Sequence, residues 1–243
     1  MPGEFSDKII WVTGASGALG AASVQTLAER GATVVASSRH LDALPSGSGI
    51  HRLAVDVTDN GAVIAAADEI VSRFGRLDGL VTSTTLPVFG DFLELDDAAW
   101  QAVIDAKLLG SVRPLRAILP HFIRQGGGRV VILSGRGGIQ PSPQHLPGSS
   151  VNAALILLVQ GLGALYGAKG VRINAVSPGP IRSPRLDALN AVGSGSQTTN
   201  TPIPGPGLPS DVGDAVAFLL SDQSRFITGA NLLVDGGGRR LDL

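Results

Sequence analysis

A chain of 243 residues with 19 Lys and Arg against 20 Asp and Glu, net charge -1, offers no basic run on which a nucleic acid or an anionic membrane could release counterions. Having no cysteine, it forms no disulfide, thiolate nucleophile or thiolate metal site, and no metal is expected; this suits a reducing cytoplasm. No charged start leads into an apolar signal core, and no apolar run reaches the ~18–20 residues of a bilayer span. Composition therefore points to a cytoplasmic protein whose partners are small molecules or other proteins.

Short apolar runs alternate with longer segments of helical period. The predicted strands are KIIWVT at 8–13, ATVVAS at 32–37, IHRLAV at 50–55, GLVTS at 79–83, RVVIL at 129–133, VRINAV at 171–176 and NLLVD at 231–235. Helical spacing of apolar residues covers 18–30, 62–74, 98–123 and 149–168. Regular alternation of strand and helix implies right-handed crossovers and an α/β fold, a doubly wound parallel sheet of seven strands with helices on both faces. Ala, Val, Leu and Ile dominate the core positions, as a sheet covered on both faces requires. One domain spanning 1–243 is expected, since no linker separates two cores. The segment PRLDALNAVGSGSQTTNTPIPGPGLPS at 184–210 breaks the rhythm. It reads as a long loop with a short helix near 186–190, placed to act as a substrate lid.

The first strand runs into Thr13-Gly14-Ala15-Ser16-Gly17-Ala18-Leu19-Gly20. Glycine at such a turn lets the backbone approach a pyrophosphate, which the amides and dipole of the next helix then hold. The second strand ends in Ser37-Ser38-Arg39. A carboxylate there would bond a ribose 2'-hydroxyl, whereas Arg39 suits a 2'-phosphate, so NADP is favoured over NAD.

The stretch GGRVVILSGRGGIQPSPQHLPGSSVNAALILLVQGLGALYGAKGVRINAVSPGPIRS, at 127–183, resembles the short-chain dehydrogenase/reductase family from its fifth strand to its sixth. The glycine turn, Asp56-Val57 and the tail ITGANLLVDGG extend the resemblance over nearly the whole chain. It implies a Rossmann-type sheet and a nicotinamide dinucleotide held by Gly14, Ser16, Gly17, Leu19 and Gly20, with Asp56 and Val57 against the adenine. Thr82 at the end of the fourth strand, and Pro178, Gly179, Ile181 and Ser183 after the sixth, complete that cofactor set. Two departures bear on it: the turn is spaced G-x-x-G-x-x-G, and Thr82-Ser83-Thr84-Thr85 stands where relatives carry Asn-Asn-Ala-Gly.

The catalytic residues implied by the resemblance are absent. Gly135, Gly148 and Asn152 stand where the family has Ser, Tyr and Lys, and Lys107 stands where it has an Asn on the preceding long helix. Lys107 and Asn152 thus form a reciprocal exchange that keeps one ammonium and one amide in the cavity. Candidate substitutes for the Tyr are His145, Ser134 and Ser149; the imidazole titrates nearest neutral pH. Arg136 suits an anionic substrate or an enolate, although a solvated loop charge is the simpler reading of it. Tyr166 and Lys169 are rejected as a displaced catalytic pair, because their spacing is three and they fall at the far end of the helix. Three functions stay open: an atypical NADPH-dependent reductase or dehydrogenase acting on a carbonyl or hydroxyl of a small molecule; a catalytically silent subunit, with no cofactor, beside an active homologue; and a non-redox cyclase or lyase. The apolar run LILLVQGLGAL suggests a homo-oligomer, or a hetero-oligomer with a homologous subunit.

Overall fold

The computed structural model describes residues 3–189 and 201–238. Seven parallel strands form one sheet in the order β3-β2-β1-β4-β5-β6-β7. They are β1 (Ile9–Thr13), β2 (Thr33–Ser38), β3 (Ile50–Ala54), β4 (Gly79–Thr82), β5 (Gly128–Leu133), β6 (Val171–Pro178) and β7 (Asn231–Val234). All seven strands expected from the sequence are present, within two residues at each end. The order reverses between β1 and β4, paired in register as Val12 with Val81 and Thr13 with Thr82. That reversal leaves a crevice beyond the strand C-termini, where open α/β sheets bind ligands.

Strands with both faces covered are apolar throughout, and each face here has its own core. One cluster gathers Trp11, Ile70, Leu80, Ile118, Phe122, Val130, Leu155 and Ile173. The other joins Ile10, Val12, Val24, Leu27, Val34, Val81, Val131, Val216 and Leu220. Two helices serve the second cluster, α1 (Ala18–Glu29) and α7 (Pro209–Leu220). The first takes α2 (Asn60–Phe74), α4 (Gly110–Arg124) and α5 (Leu146–Tyr166). Helix α2 starts on Asp59, whose carboxylate accepts from the amides of Gly61 and Ala62, and ends on Gly75 at φ 76°. The sequence reading missed α7, whose first two residues, Pro209 and Ser210, fall inside the Gly- and Pro-rich run taken as loop.

The segment expected as a helix over 98–123 is helical throughout, but not uniformly α. It divides into α3 (Asp97–Val103), a π-helical turn (Ile104–Leu109) and α4. Pro114 and Pro120 lie inside α4 and lack the N–H that a regular helix needs. In the widened turn the Gly110 N–H reaches Asp105 O, five residues back. Side chains also bond carbonyls of this turn: Arg113 Nη1 donates to the same Asp105 O at 3.3 Å, and Ser111 Oγ to Lys107 O at 2.8 Å.

A second correction concerns the stretch Pro143–Lys169, which contains an 18-residue window of mean hydropathy 1.6 and by length and composition alone could cross a bilayer. Its α5 portion buries Val151, Leu155 and Val159 in the first core cluster. Leu157 and Leu165 remain exposed on its outer face, 70% and 60%. The short helix expected near 186–190 is α6 (Pro184–Leu189). Residues 190–200 of the expected lid lie outside the described residues. The part from Thr201 folds back on the sheet, where Gly207 N–H donates to Pro180 O and Arg182 N–H to Gly207 O.

Candidate active site

The turn after β1 is built by close approaches that admit no side chain. Gly14 has φ +66°, and a Cβ there would sit 2.7 Å from the Ser83 carbonyl. A Cβ on Gly20 would sit 2.3 Å from Gly14 O, so helix α1 and the turn touch backbone to backbone. Gly17 caps α1 with extended backbone and no side-chain hydrogen bond. The first amides of α1 are therefore not capped by a side chain, and the residues beside them, Ser16, Gly17, Ala18 and Leu19, line a cavity of about 410 Å³.

The same cavity reaches the residues that replace the family's catalytic set. Lys107, on the π turn, is only 4% exposed, and its Nζ donates to the backbone oxygen of Ser134 at 3.1 Å. Burying an ammonium is costly unless its charge is used. The Ser134 amide donates to Val176 O at 2.9 Å, which fixes the end of β5, and its hydroxyl donates to Asn152 O at 2.9 Å. The Asn152 side chain fills the space left by the missing Ser: a Cβ on Gly135 would lie 2.7 Å from Asn152 Nδ2. Lys107 and Asn152 thus meet the two sides of Ser134 in one cavity.

Glycines let the turn after β5 lie against α5. A Cβ on Gly137 would meet Ser149 Oγ at 2.9 Å, and one on Gly138 the Asn152 carbonyl carbon at 2.7 Å. Ser149 Oγ accepts from the Ser142 amide at 3.2 Å. His145 is buried at 6% exposure, with Nδ1 2.6 Å from Val88 O and its ring 4.9 Å from that of Phe89. Arg136 is half-buried, and its Nη1 donates to Gly238 O at 3.2 Å. It lines the cavity, which displaces the reading of a solvated loop charge.

Of the expected site residues, Lys107, Ser134, His145, Ser149, Asn152, Ser16, Gly17, Leu19, Pro178, Gly179, Ile181 and Ser183 all line this one cavity. Gly179 is pressed on β7's end, a Cβ there falling 2.6 Å from Asp235 Cβ. The Ser183 hydroxyl accepts from the Leu186 amide at 3.3 Å at the start of α6. Six lie outside the lining. Gly14 and Gly20 shape the turn from beneath. Thr82 is buried in the core, its hydroxyl donating to Ser111 Oγ at 3.1 Å. Arg39 is exposed after β2. Asp56 accepts from Thr58 N at 2.9 Å and Thr58 Oγ1 at 2.8 Å; the amide bond first, then the hydroxyl and the charges of Arg39 and Arg113, hold its carboxyl below the usual range against the opposing effect of burial. Val57 offers its carbonyl to Arg113 Nη1 at 3.0 Å.

The sequence reading missed Gln140 and Ser142 of the lining, had Pro184 and Leu186 only as part of the expected lid segment, and saw Thr84 only as a departure from the family. Five buried side-chain oxygens among the described residues lack a hydrogen-bond partner: Thr13 Oγ1, Thr84 Oγ1, Ser142 Oγ, Asn152 Oδ1 and Asp235 Oδ2. Three of these belong to residues lining the cavity, Thr84, Ser142 and Asn152. Buried polar atoms ordinarily have partners, so their concentration here marks a place where a ligand supplies them. Tyr166 and Lys169 pack on each other at the far end of α5, the ammonium 5.2 Å from the ring centroid, and take no part in the cavity lining.

A family profile described as enoyl-(acyl carrier protein) reductase matches residues 14–238. Cis-4-hydroxycyclohexanecarboxylate dehydrogenase of Sinomonas cyclohexanicum is 34% identical over 241 residues, covering 96% of this chain and 97% of its own. Among solved structures, a short-chain type dehydrogenase/reductase from Mycobacterium ulcerans superimposes with TM-score 0.90 at 28% identity, over 96% of this chain and 90% of its own. ElxO, solved with NADP bound, gives 0.87 at 27% identity, over 95% and 98%. Two of these relatives are named as dehydrogenases or reductases, and one structure holds NADP. With the strand order, the glycine turn and the cavity at the sheet's reversal, the matches place this chain in the short-chain dehydrogenase/reductase family.

Proposed function

We propose that this protein is an NADP(H)-dependent oxidoreductase that interconverts a carbonyl and a hydroxyl on a small organic molecule, using a proton relay other than the family's. The observation that carries this reading is the single cavity joining the uncapped start of α1 to Lys107, Ser134 and Asn152. A nicotinamide dinucleotide suits it: Ser16, Gly17 and Leu19 would meet the pyrophosphate, while Gly179, Ile181 and Ser183 would meet the nicotinamide amide. When bound, that cofactor supplies or accepts the hydride. Lys107 keeps a positive charge beside the reacting oxygen, where negative charge develops, and Asn152 offers its amide. The orphaned Thr84, Ser142 and Asn152 oxygens would have no use in a silent subunit.

Lys107, Arg136 and His145 line the cavity without any Asp or Glu among the lining residues. That balance suits a substrate bearing a carboxylate, as does the compound named for the Sinomonas relative. Arg39 favours NADP, and the segment 184–210 serves as the lid, with Pro184 and Leu186 at the cavity. The apolar outer face of α5 carrying Leu157 and Leu165 pairs with a second copy of the chain, and light scattering of the purified protein checks this. A cytoplasmic location belongs to the same proposal and is checked by cell fractionation.

Titration with NADPH by fluorescence, then NADPH consumption with 4-oxocyclohexanecarboxylate and a panel of other carbonyl compounds, tests the central reading. Saturable binding and stoichiometric oxidation are expected. Absence of binding at millimolar NADPH refutes it, and product formed without cofactor consumption replaces it with a cyclase or lyase.

A further inference from the structure

We propose that His145 is the proton donor and acceptor of this site, and that residue 148 is glycine because the imidazole occupies the space in which a side chain there would begin. The proposal rests on the oxidoreductase reading above and adds to it the identity of the acid.

A Cβ built on Gly148 would lie 1.8 Å from His145 Nε2, 2.3 Å from Cε1 and 2.6 Å from Cδ2. No side chain coexists with the ring in that place. Loss of the side chain at 148 and entry of the imidazole are therefore one change, reached from three residues upstream through the tight turn Pro143–His145 that leads into α5. The polar group has not been deleted from the cavity. It arrives by another path.

The ring's surroundings decide which nitrogen works. Val88 O, 2.6 Å from Nδ1, can only accept, so Nδ1 carries a hydrogen and Nε2 is the nitrogen that gains and loses the second proton. The loop after β4 holds this arrangement at three points: the Val88 carbonyl, the Phe89 ring at 4.9 Å and the Gly90 amide, which donates to Gln144 O at 3.1 Å. Of the other candidates, Ser134 Oγ already donates its hydrogen to Asn152 O; Ser149 Oγ, which accepts from the Ser142 amide, keeps its hydrogen but is a far weaker acid than an imidazolium. The charged residues that line the same cavity as the ring are Lys107 from the π turn and Arg136 from the turn after β5; the loop 84–90 and the first turns of α5 contain none.

In the reducing direction the carbonyl carbon receives a hydride from NADPH, which is oxidised to NADP⁺. The π pair moves onto the oxygen, and the oxygen takes the Nε2 proton of the His145 imidazolium, leaving neutral imidazole with Nδ1–H still on Val88 O. The reverse steps oxidise the alcohol.

The test uses the intact protein, NADPH and 4-oxocyclohexanecarboxylate or whichever carbonyl of the panel is turned over. His145→Gln should lower kcat by about 100-fold or more while leaving NADPH affinity within about twofold. The wild-type fall in reductive kcat with rising pH should disappear in the same variant. His145→Gly should regain turnover with added imidazole, which a merely structural residue would not show. Gly148→Ala, whose Cβ displaces the ring, should lose turnover with NADPH affinity kept. Long-range ¹H–¹⁵N spectra, simplified by the presence of only four histidines, should show His145 protonated at Nδ1 when neutral. Unchanged kcat in His145→Gln, or an Nε2–H neutral tautomer, overturns the assignment while NADPH oxidation by wild type leaves the oxidoreductase reading intact. Should the substituted chains fail to fold, the wild-type tautomer decides. A wild type that binds no NADPH, or reduces no carbonyl, overturns both.

Discussion

Replacing Lys107 by methionine separates a functional cation from a structural one. The side chain is 4% exposed and donates to Ser134 O at 3.1 Å. Losing that charge-assisted hydrogen bond costs roughly 1.5–3 kcal/mol. Against this, holding an ammonium out of water costs several kcal/mol, a penalty that an apolar side chain of similar length removes. The two nearly cancel, so the net loss should not exceed about 1 kcal/mol, or roughly 4 °C in Tm for a chain of this size. Turnover should behave differently. If the ammonium steadies charge developing on the reacting oxygen, kcat/KM with NADPH and the chosen carbonyl should fall at least about tenfold, some 1.4 kcal/mol of barrier. Differential scanning calorimetry and steady-state kinetics on one preparation measure both. A Tm drop beyond about 8 °C, over 2 kcal/mol, with kcat/KM unchanged would refute the reasoning and make Lys107 a tie between the π turn and β5.

Gly20→Ala places a methyl 2.3 Å from Gly14 O, so the turn must shift; a loss of about 1–3 kcal/mol in stability and of measurable NADPH binding is expected by denaturant titration and fluorescence. Arg39→Ala should weaken NADPH binding about tenfold or more and leave NADH within about twofold, since only a 2'-phosphate meets the guanidinium; equal losses would remove Arg39 from cofactor choice. Asp56 has its folded pKa held down first by the Thr58 amide, so its contribution is present above the ordinary carboxylate value of about 3.9 and is lost as pH falls through the lower folded value. Asp56→Asn should therefore lower Tm at pH 7, and the difference from wild type should vanish in acid; a difference constant with pH would contradict this.

Much of the fold was legible because its signals are local. Apolar runs bounded by Gly, Asn and Asp mark all seven strands, and Asp59 and Gly75 mark the ends of α2. Helical structure over 98–123 was legible too, but the apolar period continues unchanged through Ile104 and Leu108, so nothing local marks the π turn at Ile104–Leu109. Helix α7 was overlooked because Pro209 and Ser210 were counted in the Gly- and Pro-rich loop, although proline suits a helix's first position equally well. At the site, the exchange of Lys107 and Asn152 was readable from family positions. Its geometry was not, because Gly135 had to be seen as the space that Asn152 fills.

By itself the sequence determined which residues were available: the glycines that permit the α1 turn, a parallel sheet with a reversal in its order, and the absence of a side chain at positions 135 and 148. Only the tertiary structure decided what stands in those spaces. Whether a loop histidine enters a cavity depends on the turn before α5 and on contacts 57 residues away at Val88, which no local pattern carries. Steric exclusion at Gly148 then turns two unremarkable residues, a glycine and a histidine three apart, into a single arrangement.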